Sequence, residues 1–329
     1  MLRLVVAAVG LGMALTVVSG CSRGGGGGGG MGTAPRTSAV KTITRYDLSG
    51  STWEPSSKME YTYDTQNRCS TETEYEWNNS AWLEKTKLEY TYDTNNRLQE
   101  KVEYNWNGAS WVNSSRTLYT RDAHGVLTQA DTYTWSGSAW DPESRTFYQY
   151  DANGKLTQET KQEYSGGTWQ DSEKVEYTYD ADGRMTCETH YEWNGSAWDA
   201  TKKTECAYSK GKLSNAVTSQ YQGGTWEPSQ KAVFSWSGVR IKSQTVYMFN
   251  PQSQKWEAFV KVNISFSSGY PKTVEYYINF GNWMLVGKDK VEMVSLSGDA
   301  VLPDDSLSYP MRIEENIYYG EEVNRYLNR

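Results

Sequence analysis

The chain has 329 residues, with 33 Lys and Arg against 40 Asp and Glu, a net charge of −7, and 14 Trp and 25 Tyr beside only 6 Phe. An acidic balance excludes the basic footprint of a nucleic-acid binder and the polybasic patch of a membrane-surface binder. No apolar run reaches the ~20 residues that a helix needs to cross a bilayer.

Residues 1–20 read as a signal peptide, with one early basic residue, Arg3, and an apolar run over 4–18. Val18-Ser19-Gly20-Cys21 resembles the lipobox of bacterial lipoproteins. That resemblance implies cleavage before Cys21, lipidation of its sulfur, and a membrane partner held through the N-terminal lipid. The expected location is outside the cytoplasm, at the outer membrane. Seven glycines, 24–30, follow. They lie between no strand and no helix start that would shape them into a phosphate cradle, so residues 21–35 are read as the anchor and a flexible tether.

Residues 36–283 are periodic. Trp53, Trp82, Trp111, Trp140, Trp169 and Trp198 recur every 29 residues, and Trp226, Trp256 and Trp283 continue the series at 28, 30 and 27. A fixed period of this length marks a repeat architecture in which one unit buries its face on the next. Each unit holds two strands of period-two alternation, rich in Tyr, Thr and Trp, as in residues 87–92 and 98–106. Asp151-Ala-Asn-Gly154 and Asp180-Ala-Asp-Gly183 fit a type I turn with a left-handed glycine, and Trp193-Asn194-Gly195-Ser196 fits a type I′ turn. The predicted fold is all-β: an antiparallel meander of roughly 17 strands at ~4.8 Å spacing.

Counting outward from the Asp turn pairs Tyr92 with Leu98, Thr91 with Gln99, Lys87 with Glu103, Thr120 with Thr128, Thr178 with Thr186 and Lys58 with Glu74. This register puts Leu88, Tyr90, Tyr92, Leu98, Val102, Tyr104 and Trp106 on one face, and Lys, Glu and Thr on the other. So large an aromatic face cannot stay in water. The sheet is expected to curl on it into a half-pipe or open shell. Residues 284–329 are read as capping strands, with strand-like runs at 288–296 and 311–319 covering an edge.

Tyr-Thr-Tyr-Asp-x-x-Asn/Gly-Arg/Lys-Leu, as in residues 90–98, 148–156 and 177–185, resembles the YD repeat of Rhs-type and teneurin-like shells, over about ten of every 29 residues. The added Trp-Asn-Gly-Ser-x-Trp segment is similar to repeat lipoproteins of Gram-negative anaerobes. The resemblance implies a β-shell; the 46 residues after Trp283 carry no toxin motif.

Chemistry-bearing residues are sparse. His124 and His190 read as surface positions, and Glu72, Glu74 and Glu76 as a solvated row beside lysines. Asp180, Asp182 and Gly183 look like the start of a calcium loop, but its distal Glu is missing and turn chemistry explains all three. Cys69, Cys187 and Cys206 read as core-facing, with a Cys187–Cys206 disulfide within reach. No catalytic residue, metal or cofactor is expected. The candidate ligand-stacking residues are Trp77, Trp106, Trp135 and Trp193, beside the Asn-Gly turns. The sequence thus predicts a non-enzymatic, membrane-anchored repeat lipoprotein acting as a surface or periplasmic interaction or adhesion module whose partner is a protein or a glycan; the alternative is a carbohydrate-binding accessory lipoprotein using rim Trp and Tyr residues.

Overall fold

The computed structural model describes residues 38–238, 240–267 and 270–295. The signal peptide, Cys21, the glycine tether and the run at 311–319 lie outside the described residues.

Nine hairpins follow one another. They are β1 (Ser38–Ser49) with β2 (Thr52–Tyr63), β3 (Cys69–Trp77) with β4 (Trp82–Tyr92), and β5 (Leu98–Trp106) with β6 (Trp111–Arg121). Next come β7 (Leu127–Trp135) with β8 (Trp140–Tyr150), β9 (Leu156–Ser165) with β10 (Thr168–Tyr179), and β11 (Met185–Trp193) with β12 (Trp198–Ser209). The last are β13 (Lys212–Gln222) with β14 (Thr225–Ser237), β15 (Arg240–Asn250) with β16 (Lys255–Ser267), and β17 (Tyr270–Asn279) with β18 (Trp283–Ser295). Each strand pairs antiparallel with the next, and β18 pairs with β1 from Ser38↔Ser295 to Asp47↔Gly287. The half-pipe or open shell expected from the sequence is therefore a closed barrel of 18 strands. Closure pairs the backbone groups that two free edges would expose, which an open shell cannot do. Residues 284–295, expected to cap the array, form its last strand.

Each unit contains two β-bulges that simple alternation hides. After the Asp turn, Tyr92 faces Leu98 as expected, but Thr91 faces Glu100 and Lys87 faces Tyr104, leaving Gln99 as an extra residue. The same shift gives Thr120↔Gln129, Thr178↔Cys187 and Lys58↔Tyr75 in place of the expected pairs. The extra residue is often a hydroxyl that bonds back across the bulge: Thr128 and Thr157 donate to the carbonyls of Thr120 and Gln149, and Thr186 reaches the Thr178 hydroxyl at 2.9 Å. A second bulge follows the repeat-start Trp, where Lys85 or its equivalent is extra. Three units place a proline beside it, Pro55, Pro142 and Pro228, where a missing N–H costs the ladder little.

One slipped residue moves a whole strand segment to the other face. Leu88, Tyr90, Tyr92 and Leu98 share one face, whereas Val102, Tyr104 and Trp106 lie on the opposite one, so the single aromatic face read from the sequence is two. Almost every fully buried side chain belongs to the first face, in three clusters centred on Cys69, Tyr90 and Leu98, on Met185, Ala216 and Ala232, and on Val274, Tyr276 and Ile278. Side chains converge on the concave side of a closed sheet and splay on the convex side, which puts this row inside the barrel. A tyrosine ladder ties neighbouring hairpins there. Tyr63, Tyr92, Tyr179 and Tyr208 donate from their hydroxyls to the carbonyls of Val40, Cys69, Leu156 and Met185, each 23 residues earlier, and the Trp236 indole does the same to Leu213.

At the Asp turns, Gly154 and Gly183 hold φ of 76° and 78°, as the turn type requires. At Trp193–Trp198 only Gly195 has positive φ, so the turn is not type I′; Asn194 Oδ1 instead accepts from the N–H groups of Ser196 and Ala197. Paired left-handed residues occur at Gly166-Gly167 and Gly223-Gly224. Cys187 and Cys206 are free. Cys187 faces Glu205, the neighbour of Cys206, so the bulge sends the two thiols to opposite faces and no disulfide can bridge them.

Candidate binding rim

All nine repeat-start tryptophans sit at one end of the barrel, where the short hairpins turn; the Asp turns occupy the other end. At seven of these hairpins the repeat-start Trp meets an aromatic ring of the preceding strand. Trp77–Trp82, Trp106–Trp111, Trp135–Trp140 and Trp193–Trp198 have ring centroids 5.0, 5.2, 5.0 and 5.1 Å apart at interplanar angles near 60°. Tyr164–Trp169, Tyr221–Trp226 and Phe249–Trp256 repeat the geometry. A tilted or edge-on contact of this kind leaves part of each indole face uncovered, and all four candidate tryptophans are half-buried.

The two rings of a pair are not equivalent. The repeat-start ring is covered by a cation from the preceding even strand: Lys58 over Trp82 at 5.2 Å, Lys87 over Trp111 at 5.3 Å, Lys174 over Trp198 at 5.5 Å. The same ammonium groups lie 4.2, 4.6 and 4.2 Å over Tyr75, Tyr104 and Tyr191. Each is also held by a carboxylate two residues on, as in Lys87–Glu89 at 2.6 Å, whose other oxygen accepts from Tyr104. This outer ladder fixes the repeat-start Trp as structure. Trp77, Trp106, Trp135 and Trp193 stand at its free side, next to exposed turns.

The remaining candidates are placed elsewhere. His124 sits in an Asp turn, its N–H bound to Asp122. His190, expected at the surface, is half-buried on the inner face and bonded at 2.7 Å to Glu188, which is itself 3% exposed. Glu72, Glu74 and Glu76 share one face, but it is the inner one, where Glu74 holds Lys85 at 2.8 Å. Burial pushes the Cys206 thiol up to about 12. Among the described residues no group of three or more His, Cys, Asp or Glu is placed to hold a metal ion.

No family model and no curated sequence matches this chain. Among solved structures it is similar to a porin-like protein from Bacteroides uniformis, at 9% identity and a TM-score of 0.38, over 78% of this chain and 98% of that one. A protein of unknown function from Bacteroides fragilis is similar at 17% identity and a TM-score of 0.33, over 38% of this chain and 94% of that one. TcdB2-TccC3 is similar at 12% identity and a TM-score of 0.34, over 72% of this chain but 15% of that one. Likenesses at this level share repeated antiparallel strands and carry no argument about activity.

Proposed function

We propose that this chain is a non-enzymatic, membrane-anchored interaction module, held by lipid on Cys21 and presenting the rim rings Trp77, Trp106, Trp135 and Trp193 to a partner. The observation that carries the reading is polarity of placement. β1 begins and β18 ends at the Asp-turn end, where Ser38 faces Ser295, while the aromatic rim crowns the opposite end. Strands of 9–13 residues separate the two ends by ~30–40 Å. A tether from Cys21 to Ser38 would join the end far from the rim, which leaves the rings free to face away from the anchoring surface.

A lipid-spanning barrel is disfavoured by its own outer face. Lys58, Lys87, Lys174, Lys203, Lys231 and Lys261 recur mid-strand there. Each would cost ~2–4 kcal/mol at a bilayer midplane. A glycan partner is the second reading, supported by indoles that keep a free face beside amide-bearing turns such as Asn194.

The test is binding of the full chain to glycan and protein arrays, with Trp77→Ala, Trp106→Ala, Trp135→Ala and Trp193→Ala alongside. A specific hit lost in these variants and kept in a Trp53→Ala control supports the rim. Hits indifferent to all four refute it, and whether the surviving ligand is a glycan or a protein decides between the two readings. Cys21→Ala is expected to abolish fatty-acid labelling and release the chain from membranes; unchanged labelling would refute the anchor.

A further inference from the structure

The nine hairpins are near-copies, so nothing in their common pattern says which strand should complete the ring. The outer ladder runs through the seam, since Lys288 on β18 lies 4.3 Å over Trp53 on β2, as Lys58, Lys87 and Lys174 lie over Trp82, Trp111 and Trp198. Three residues on the inner face that depart from the common pattern, Arg45, Gly287 and Asp289, meet at the junction of first and last strands.

Arg45 on β1 is 4% exposed and Asp289 on β18 is 2% exposed; they are register partners, with Nη1 donating to Oδ1 at 3.2 Å. The guanidinium also donates from Nε to Asp47 and lies 4.0 Å over the fully buried Tyr276 ring, whose hydroxyl donates to the other Asp289 oxygen. Gly287 completes the cradle, for a Cβ there would run into Arg45 Nη2.

The equivalent positions elsewhere hold other residues. Where β18 has Asp289, the even strands have Leu88, Thr117, Val175, Thr204, Ala232 and Val262. Where it has Gly287, they have Thr86, Ser115, Ser144 and Lys202. Where β1 has Arg45, the odd strands from β3 to β13 have Glu74, Glu103, Thr132, Lys161, His190 and Thr218, of which only Lys161 offers a second lysine or arginine. Setting Asp289 beside Glu74 or Glu103 would face two carboxylates, and setting Arg45 against any other even strand would leave its buried guanidinium with Asp47 alone.

We propose that Arg45, Gly287 and Asp289 form a closure lock that selects β1, in one register, as the strand that completes the ring. A buried ion pair contributes little net stability over an apolar pair, but a mismatched one is heavily penalised, which makes it a device for choosing partner and register.

The test uses the full chain with cysteine pairs across the seam. Thr44→Cys with Lys290→Cys reports the native register, and Thr42→Cys with Lys290→Cys reports a two-residue slip that keeps every side chain on its face. With the lock intact, oxidation gives the native crosslink within one chain. In Gly287→Ser, which keeps both charges but fills the cradle, and in Asp289→Val, that crosslink falls about tenfold and slipped or interchain products replace it. The double variant Arg45→Thr/Asp289→Val removes both fully buried charges and leaves only the partly exposed Asp47 without its partner; it keeps its strand content by circular dichroism yet loses the exclusive register. Native crosslinking at the parent yield in Gly287→Ser and in the double variant would overturn the proposal.

Discussion

The ammonium of Lys288 rests 4.3 Å from the ring centroid of Trp53, although 235 positions of sequence separate them. It does so because β1 lies between β18 and β2, just as β5 lies between the strands of Lys87 and Trp111. The outer face thus carries a cation–aromatic ladder across the seam, and at Lys58, Lys87 and Lys174 the cation is shared between two rings and a carboxylate. At a half-exposed site a cation–π contact contributes about 0.5–1 kcal/mol. Lys174→Met, which keeps most of the stem and removes the charge, should lower the unfolding free energy by about that amount, measured by urea titration with unchanged m-value. No change would show that the stem alone supports Trp198.

The tyrosine ladder is the inner counterpart. Tyr92 Oη donates at 2.7 Å to the Cys69 carbonyl of the neighbouring strand pair. Tyr92→Phe keeps the ring and removes the donor, so it should cost ~0.5–1.5 kcal/mol, more if the carbonyl is left dry. Leu98→Ala, at a site 1% exposed, should cost ~2–5 kcal/mol because the closed wall cannot collapse into the space. A smaller loss for Leu98 than for Tyr92 would contradict the assignment of this row to the packed interior.

The Asp turns give a pH dependence whose sign is fixed. Backbone N–H donors, from Lys155 at Asp151 and from Arg184 at Asp180, hold these carboxyls below their ordinary value. A depressed folded value means that the contribution is complete above the ordinary carboxylate pKa of about 3.9 and is lost as pH falls through the depressed one. Stability should therefore be flat near neutrality and decline below about pH 4. Asp151→Asn keeps an oxygen for the turn and should blunt that decline, while Asp151→Ala should destabilise at every pH. Identical acid profiles for the parent and Asp151→Asn would remove this turn from the account.

Much of this fold was legible because a repeat multiplies weak signals. Nine spaced tryptophans fixed the unit, and Asp-x-x-Gly fixed one turn. The register was lost by one residue because a bulge leaves no mark on hydrophobic alternation. Its marks are local: a Thr three residues after the turn glycine, as at Thr128, Thr157 and Thr186, and the Trp-x-Pro of Trp53, Trp140 and Trp226. Closure was illegible for a different reason. Pattern within a unit cannot say how many units complete a circle; only the departures at Arg45, Gly287 and Asp289 carry that information, and they become visible once the first and last strands are adjacent. The rim tryptophans were identified by position, but their pairing with Trp82, Trp111, Trp140 and Trp198 follows from hairpin geometry that the assumed type I′ turn did not describe.

The thiols provide the sharpest check on that corrected register. If Cys187 and Cys206 shared a face, as unbroken alternation requires, oxidation would join them. In the barrel Cys187 faces Glu205 and Cys206 faces Ala216, so the sheet itself stands between the two sulfurs. Burial raises both thiols, Cys206 to about 12, which leaves almost no thiolate near neutral pH. Native protein exposed to a mild oxidant should give no Cys187–Cys206 peptide by non-reducing mass mapping. Alkylation of Cys206 should be slow when folded and fast in urea. A disulfide between them in native protein would restore the unbulged register and move Val102, Tyr104 and Trp106 back beside Leu98.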